Sequence, residues 1–358
     1  MRKYRVGIVG LRGIAAGPTN TRSTGQKTPP YPLSRQIVTG HASCLALMPE
    51  VEVVAYCDMD ETLLTDFNNN WGETWPNAKP YVDFNKMIKD ADLDILTVCT
   101  GDAAHAKLVI GAAESGVKGI ICEKPLATSM EDVNAMLEAC KDNNVPLSVG
   151  HTRRWRKLYH KVRETIRSGG IGSINTIVVS HWGARAMLFR NGTHVIDGIC
   201  FFAESAPKFV WAKLEDGFDD WDVYKGQGGK DPASEPGASG FVIHENGIRS
   251  FYVGSKESVV PAATVQITGT DGQIEFRMDG TSATMLTKGP EGQTMAEELV
   301  SDDYQSENYV AAYEELINLV ENGGEGVSTG EHGRWVVQIM TGFLDSHQAG
   351  SKLIDVPE

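Results

Sequence analysis

Residues 6 to 20 read VGIVGLRGIAAGPTN, an apolar run that ends at Gly10 and breaks into a turn through Arg12, Gly13, Ile14 and Ala15. A strand that turns through glycine into a helix aims backbone N–H groups at a phosphate. A dinucleotide fingerprint sets one glycine at the tight bend, a second where backbone nears the pyrophosphate, and a small residue where helix meets strand. Gly10, Arg12 and Ala15 fall on those three places, so an arginine stands where the middle glycine belongs. Gly13 follows at once. A turn shifted by one residue would bend at GLRG and lay Arg12 beside the phosphates, with Ile14 next in the same cradle. The same letters also fit a purely structural glycine loop.

Asp58 ends the run VEVVAYCD, where this kind of fold places the carboxylate that holds the ribose hydroxyls. It lies farther from Gly10 than the usual ~20 residues, and removing the irregular stretch 15–32 shortens the gap. Asp60 adds a second carboxylate, which repels a 2′-phosphate and favours NAD over NADP. A surface turn with two acids is the competing reading.

Other chemistries find less support. The nine histidines contain no HExxH or similar compact spacing, so no metal is expected. The six cysteines form no CxxC pair and lie mostly in apolar runs, which points to reduced thiols and a cytoplasmic location. A net charge of -14 opposes phosphate backbones and anionic lipid, so neither nucleic acid nor a membrane is an expected partner. No window reaches the roughly 18 uninterrupted apolar residues of a membrane span. Arg12 breaks the opening apolar run too early for a secretion leader.

The elements that must carry these residues alternate over the first 150 positions between β-rich runs and helical patterns, the grammar of a parallel sheet with crossover helices. YRVGIVG, VEVVAYCD, DILTVCT, KGIICEK and PLSVG read as strands buried on both faces. One helix should end at Gly116, and another should open with a capping box from Thr128 to Glu131. After about residue 173 the pattern becomes antiparallel, with two-residue turns at Asn246-Gly247 and Asp271-Gly272. Two helices follow, one aligning Tyr309, Tyr313, Leu316 and Val320, the other Trp335, Val336, Ile339, Met340 and Phe343. The expectation is an α/β chain: a Rossmann dinucleotide-binding domain over 1–150, then an α+β domain over 151–358 with an open, mainly antiparallel sheet. Stretches 15–32 and 215–238 read as long surface loops, suited to a lid or an oligomer contact.

At ICEKPLATS the chain resembles the sugar and cyclitol dehydrogenases grouped with glucose-fructose oxidoreductase and myo-inositol 2-dehydrogenase. VGIVG, AYCDMD, VCTGDAAHAKLVIGAAESG, Glu123-Lys124-Pro125, GHTRRW and GTHVID match in order and cover most of the chain. The EKP tripeptide after a buried strand, with Thr100 and His105 upstream, is the specific part. The resemblance implies that Thr100, His105, Glu123 and Lys124 line the nicotinamide side of bound NAD, that Lys124 also reaches the substrate hydroxyl, and that the open sheet mediates a homo-oligomer of two or four chains.

Oxidising an alcohol by hydride transfer leaves a developing alkoxide unless its proton departs, so an ammonium near that oxygen and a base to take the proton are both useful. His194 is the candidate base: if Thr193 caps the helix HVIDGICFF, the ring sits in its first turn, where the positive helix end favours the neutral form. Many members of the resembled family carry an aspartate four residues before this histidine, and here that position is Arg190, which cannot accept the imidazole hydrogen bond. Asp197 is a substitute acid, although the helix dipole alone also explains an acid there. Arg154 and Arg190, with Arg153, Arg156 and Arg185, supply forked donors, and Trp155 and Trp182 flat apolar faces, for a polyhydroxylated ring. A solvated charged face would give the same letters. Three functions stay open: a net NAD-dependent dehydrogenase of a sugar or cyclitol hydroxyl, an NAD-retaining lyase or glycosidase-like enzyme using transient oxidation, and a non-catalytic NAD or sugar sensor.

Overall fold

The opening apolar run forms β1 (Tyr4–Val9), which lies between β2 (Val51–Cys57) and β4 (Ile95–Val98) in a parallel sheet. β3 (Lys79–Tyr81), a short strand with no apolar signature, extends that sheet on one side, and β5 (Gly119–Cys122) and β6 (Leu147–Val149) extend it on the other, in the order β3-β2-β1-β4-β5-β6. The order reverses between β1 and β4, and crevices for ligands form beyond the carboxyl ends of strands at such a point. Val6, Ile8, Ile95, Leu96, Ile120 and Ile121 have no exposed surface, as expected for strands covered on both faces. The connecting helices are α1 (His41–Leu45), α2 (Glu61–Trp71), α3 (Phe84–Asp90), α4 (His105–Glu114) and α5 (Met130–Asp142). This is a computed structural model, and it describes residues 3–17, 40–226, 229, 231–258, 260–301 and 308–358.

Helix ends follow side-chain chemistry. α4 is followed by Gly116 at φ +90°, a left-handed position that suits glycine. The cap of α5 is Ser129, whose Oγ accepts from Asp132 N at 3.2 Å, one residue later than the Thr128 box expected from sequence.

The remaining elements are α6 (Lys157–Arg167), β7 (Ile174–Trp182), α7 (Gly192–Ala203), β8 (Pro207–Leu214), β9 (Ala238–His244), β10 (Arg249–Ser255), β11 (Ala262–Gly269), β12 (Gly272–Arg277), β13 (Ser282–Lys288), β14 (Thr294–Val300), α8 (Asn308–Asn322), α9 (Gly330–Gln348) and β15 (Ile354–Asp355). Nine strands join in the order β14-β13-β12-β11-β7-β10-β9-β8-β15. All pairs are antiparallel except β7 with β10. α7 packs on β7, and α9 packs on β8 and α7.

The β9–β10 connection is four residues, 245–248, rather than a two-residue turn at Asn246-Gly247: Gly247 N donates to His244 O at 2.9 Å, which centres the turn on Glu245-Asn246, and Gly247 follows at φ +86°. The β11–β12 turn is instead Thr270-Asp271. Gly272 already belongs to β12, where it pairs with Thr287 of β13, and a Cβ on it would lie 2.6 Å from Leu286 O.

Contacts divide the chain into two units, and the division is not a single break near residue 150. The first unit holds the chain up to Glu123, Ala135–Thr152 and the segment through Thr329 that carries α8; the second holds Lys124–Asn134, the nine-stranded sheet with α6 and α7, and Gly330–Glu358. α8 belongs with the first unit because Leu316 and Val320 pack against Gly119 at the start of β5, where an added Cβ would lie 2.9 Å from Val320 Cγ2. A single boundary at 150 would put α8 with the second unit, whereas its contacts group it with the first.

All six cysteines are free and buried. Among the described residues no helix is long and apolar enough to cross a membrane. The stretch 15–32 lies, beyond Gly17, outside the described residues.

Candidate functional site

In the first unit the glycine turn meets the end of β4. Gly10 has φ +80°, and a Cβ on it would lie 2.6 Å from Thr100 N and 2.7 Å from Cys99 C. Only glycine fits. Gly13, at φ +58°, has nothing within 4 Å of its Cβ position, so its side of the turn is open. Thr100 Oγ1 is buried without a hydrogen-bond partner among the described residues, an orphan of the kind a ligand satisfies.

The helical ladder behind this turn is spliced. Gly17 N donates to Gly13 O at 3.3 Å, His41 N to Ile14 O at 2.9 Å and Ala42 N to Ala15 O at 2.8 Å. The hydrogen bonds thus treat His41 as the residue after Gly17, so the intervening residues are an insertion in the sequence between the glycine turn and α1. This insertion explains why Asp58 lies so far along the sequence from Gly10.

Asp58 closes the turn itself. Its Oδ2 accepts from Leu11 N at 2.9 Å and its Oδ1 from Asp60 N at 3.0 Å. A carboxylate offers about four acceptor positions, which leaves capacity for ribose hydroxyls. Asp60 caps α2 through Thr62 N at 3.0 Å and holds Arg12 Nη2 at 2.8 Å on its other oxygen. Arg12, expected beside the phosphates, is an exposed guanidinium tied to Asp60. Ile14 is exposed at 36% on the same turn.

Behind the cradle lies a polar network in which only Glu123 is legible from sequence. His41 is fully buried; its Nδ1 lies 2.8 Å from Tyr313 Oη and its Nε2 3.2 Å from Glu123 Oε1. Tyr309 Oη donates to the same Glu123 oxygen, and the Tyr313 hydroxyl also meets Thr97 Oγ1 at 2.8 Å. Burial, reinforced by Glu123, raises the proton affinity of Tyr309 well above that of an ordinary phenol, so it stays a neutral donor. Tyr309 and Tyr313 read in the sequence as part of an apolar stripe, and only their i, i+4 phenols hint at more. His105 is buried at the start of α4 with Nε2 3.2 Å from Thr100 O.

In the second unit Lys124 Nζ donates to Arg190 O at 3.2 Å. α7 begins two residues later. Its cap position is Asn191, without a side-chain capping bond, so Thr193 is a buried first-turn residue rather than the cap. His194 occupies that first turn as expected.

Asp197 is 1% exposed and accepts from Arg154 Nε at 2.7 Å. A buried guanidinium needs such a partner. The pairing binds both the acid expected to serve His194 and an arginine expected to serve the substrate. Arg156 is likewise buried and donates to Met278 O and Gly280 O. Trp182, at the end of β7, remains 43% exposed, Trp155 is half-buried and Arg185 is exposed. Sequence reading also missed Glu235, 1% exposed, whose Oε2 accepts from both Phe189 N and Arg190 N at 2.9 Å.

Residues 4–151 match an oxidoreductase family described by its NAD-binding Rossmann fold, GFO_IDH_MocA. The myo-inositol 2-dehydrogenase of Thermotoga maritima is 30% identical over 145 residues, 40% of this chain and 42% of that protein. A D-apiose dehydrogenase of Paraburkholderia graminis is 32% identical over 154 residues, 43% of this chain and 38% of that protein. The chain spans less than half the length of the curated relatives it matches. A levoglucosan dehydrogenase, solved with NADH and L-sorbose, has the same fold over 100% of both chains, with a TM-score of 0.77 and 19% identity. The glycine cradle, the 3-2-1-4-5-6 strand order and the match over 4–151 converge on that region: residues 4–151 match the GFO_IDH_MocA family of oxidoreductases and have its NAD-binding Rossmann fold.

Proposed function

We propose that the protein is an NAD-dependent oxidoreductase acting on a secondary hydroxyl of a sugar, sugar derivative or cyclitol, in which Lys124 holds the reacting oxygen and His194 exchanges its proton. The orphan Thr100 hydroxyl, the bare backbone at Gly10, the open side of Gly13 and the Asp58 carboxylate suit a dinucleotide and would hold its phosphates, ribose and ring side. NAD, when bound, supplies the hydride acceptor.

The chain's own residues manage the proton and the charge. An ammonium stabilises oxygen as it gains alkoxide character, and a neutral imidazole takes the proton near pH 7. Trp182 offers a flat face to an apolar sugar face. The inositol and apiose dehydrogenases among the relatives support a polyhydroxylated substrate.

One observation carries the reading: the Lys124 ammonium sits on the Arg190 carbonyl, immediately ahead of the helix that bears His194 in its first turn. Calorimetry with NAD followed by an absorbance screen at the reduced-cofactor band, over cyclitols and aldoses, tests it. Lys124→Met should keep NAD binding and lose at least about a hundredfold in turnover, the lower range for a positioned acid–base or electrostatic group. Undiminished turnover in that variant rejects the role given to Lys124.

A further inference from the structure

We propose that Glu235 is a positioning residue for Lys124, and that the described part of segment 215–238 is the strap that holds Glu235 in place. The proposal rests on the reading of Lys124 above. Three successive backbone donors, Leu188, Phe189 and Arg190 N–H, are bound by the end of this segment: the first by Pro236 O at 2.8 Å, the next two by Glu235 Oε2. Successive N–H groups make a concave anion site, here filled by the chain's own carboxylate. Fixing the Arg190 N–H on one side fixes the backbone beside the carbonyl that receives Lys124 Nζ.

The strap is anchored independently. Lys256 Nζ donates to Pro232 O at 2.6 Å and to Glu235 O at 2.7 Å, pairs with the Glu215 carboxylate, and lies 4.8 Å from the centre of the Phe218 ring. Tyr224 stacks on Phe189 with centroids 3.9 Å apart and planes 4° from parallel. Phe189 is thus gripped by its ring and its N–H from the same segment. A surface loop with no further role has no need of a buried carboxylate at its end.

Acylation of lysine requires the neutral amine, and a fixed carbonyl acceptor favours the ammonium. Glu235→Ala should therefore speed acylation of Lys124 about threefold to tenfold at pH 8, the equivalent of one net hydrogen bond, and leave the exposed Lys288 at its wild-type rate. Turnover should fall in kcat more than in KM. Glu235→Gln, which keeps an oxygen for both N–H groups, should restore both readouts. Lys256→Met, which loosens the strap at its other anchor, should reproduce the effect in part and serves if Glu235→Ala does not fold. Equal acceleration at Lys124 and Lys288, or an unchanged Lys124 in a folded Glu235→Ala protein, overturns the proposal. Labelling is read without turnover, so a failure of the Lys124→Met test would sink the catalytic reading and leave the positioning result intact.

Discussion

His41 Nε2 lies 3.2 Å from Glu123 Oε1, and the Tyr309 hydroxyl donates to that same oxygen. The contact ties α1, β5 and α8 together inside the first unit, with the Glu123 side chain only 9% exposed. A buried acceptor that loses a donor keeps its desolvation cost. Tyr309→Phe should destabilise the protein by roughly 1–3 kcal/mol, with the change read as a lower urea midpoint at unchanged slope. Tyr313→Phe removes a hydroxyl shared between His41 and Thr97, and should cost a comparable amount. A Tyr309→Phe protein as stable as wild type would show that the Glu123 carboxylate does not depend on this donor.

The two glycines of the cradle should behave differently. Gly10→Ala places a methyl 2.6 Å from Thr100 N at a positive φ, so β1 and β4 must separate at their carboxyl ends. NAD affinity should fall beyond detection by calorimetry, and the melting temperature should drop. Gly13→Ala meets open space and costs only the left-handed backbone conformation, about 1 kcal/mol. Equal losses in the two variants would argue against a cradle built on backbone approach at Gly10.

Gly10, Asp58 and the strand runs were legible because local chemistry fixes them: a bend that excludes a side chain, an acid at a strand end, and apolar segments covered on both faces. The insertion behind Gly17 was visible only as an irregular stretch, since continuity of the helix across it is a matter of hydrogen bonds between residues distant in sequence. The stripe from Tyr309 to Val320 announces a helix, but an apolar stripe does not name the surface it covers; Gly119 does so only once β5 and α8 meet. The pairing of Arg154 with Asp197, and the capture of two N–H groups by Glu235, join segments about 40 residues or more apart. Nothing in their spacing marks them.

Coenzyme choice should turn on Asp60. Its carboxylate neutralises Arg12 and stands next to Asp58, so an added 2′-phosphate meets two acids and an arginine already engaged. Asp60→Ser keeps a hydroxyl cap for α2, removes one negative charge and releases the guanidinium. The ratio of NADP to NAD affinity should rise about tenfold, the equivalent of about 1.4 kcal/mol. An unchanged ratio in paired calorimetric titrations would place the ribose away from this ion pair.

Acid should weaken the second unit before carboxylate chemistry does. Burial lowers the proton affinity of His181 to about 4, with Arg153 adding to it, and burial does the same for His244 against the opposing pull of its Ser205 hydrogen bond. Both values lie below the ordinary histidine pKa of about 6.5. Between those limits the unfolded chain takes up protons that the folded chain refuses, so this contribution is complete above about pH 6.5 and is lost as pH falls toward 4. At about 1.4 kcal/mol per pKa unit, each ring accounts for a loss on the order of 3 kcal/mol by pH 4. His244 is the cleaner probe, since its Nδ1 faces Ser205 O at 3.1 Å and its Nε2 faces Ser250 Oγ at 3.0 Å, a pattern that a glutamine amide reproduces. Urea unfolding between pH 7.5 and 4.5 should show a shallower decline for His244→Gln than for wild type, and identical slopes would mean that this ring takes up its proton equally in both states.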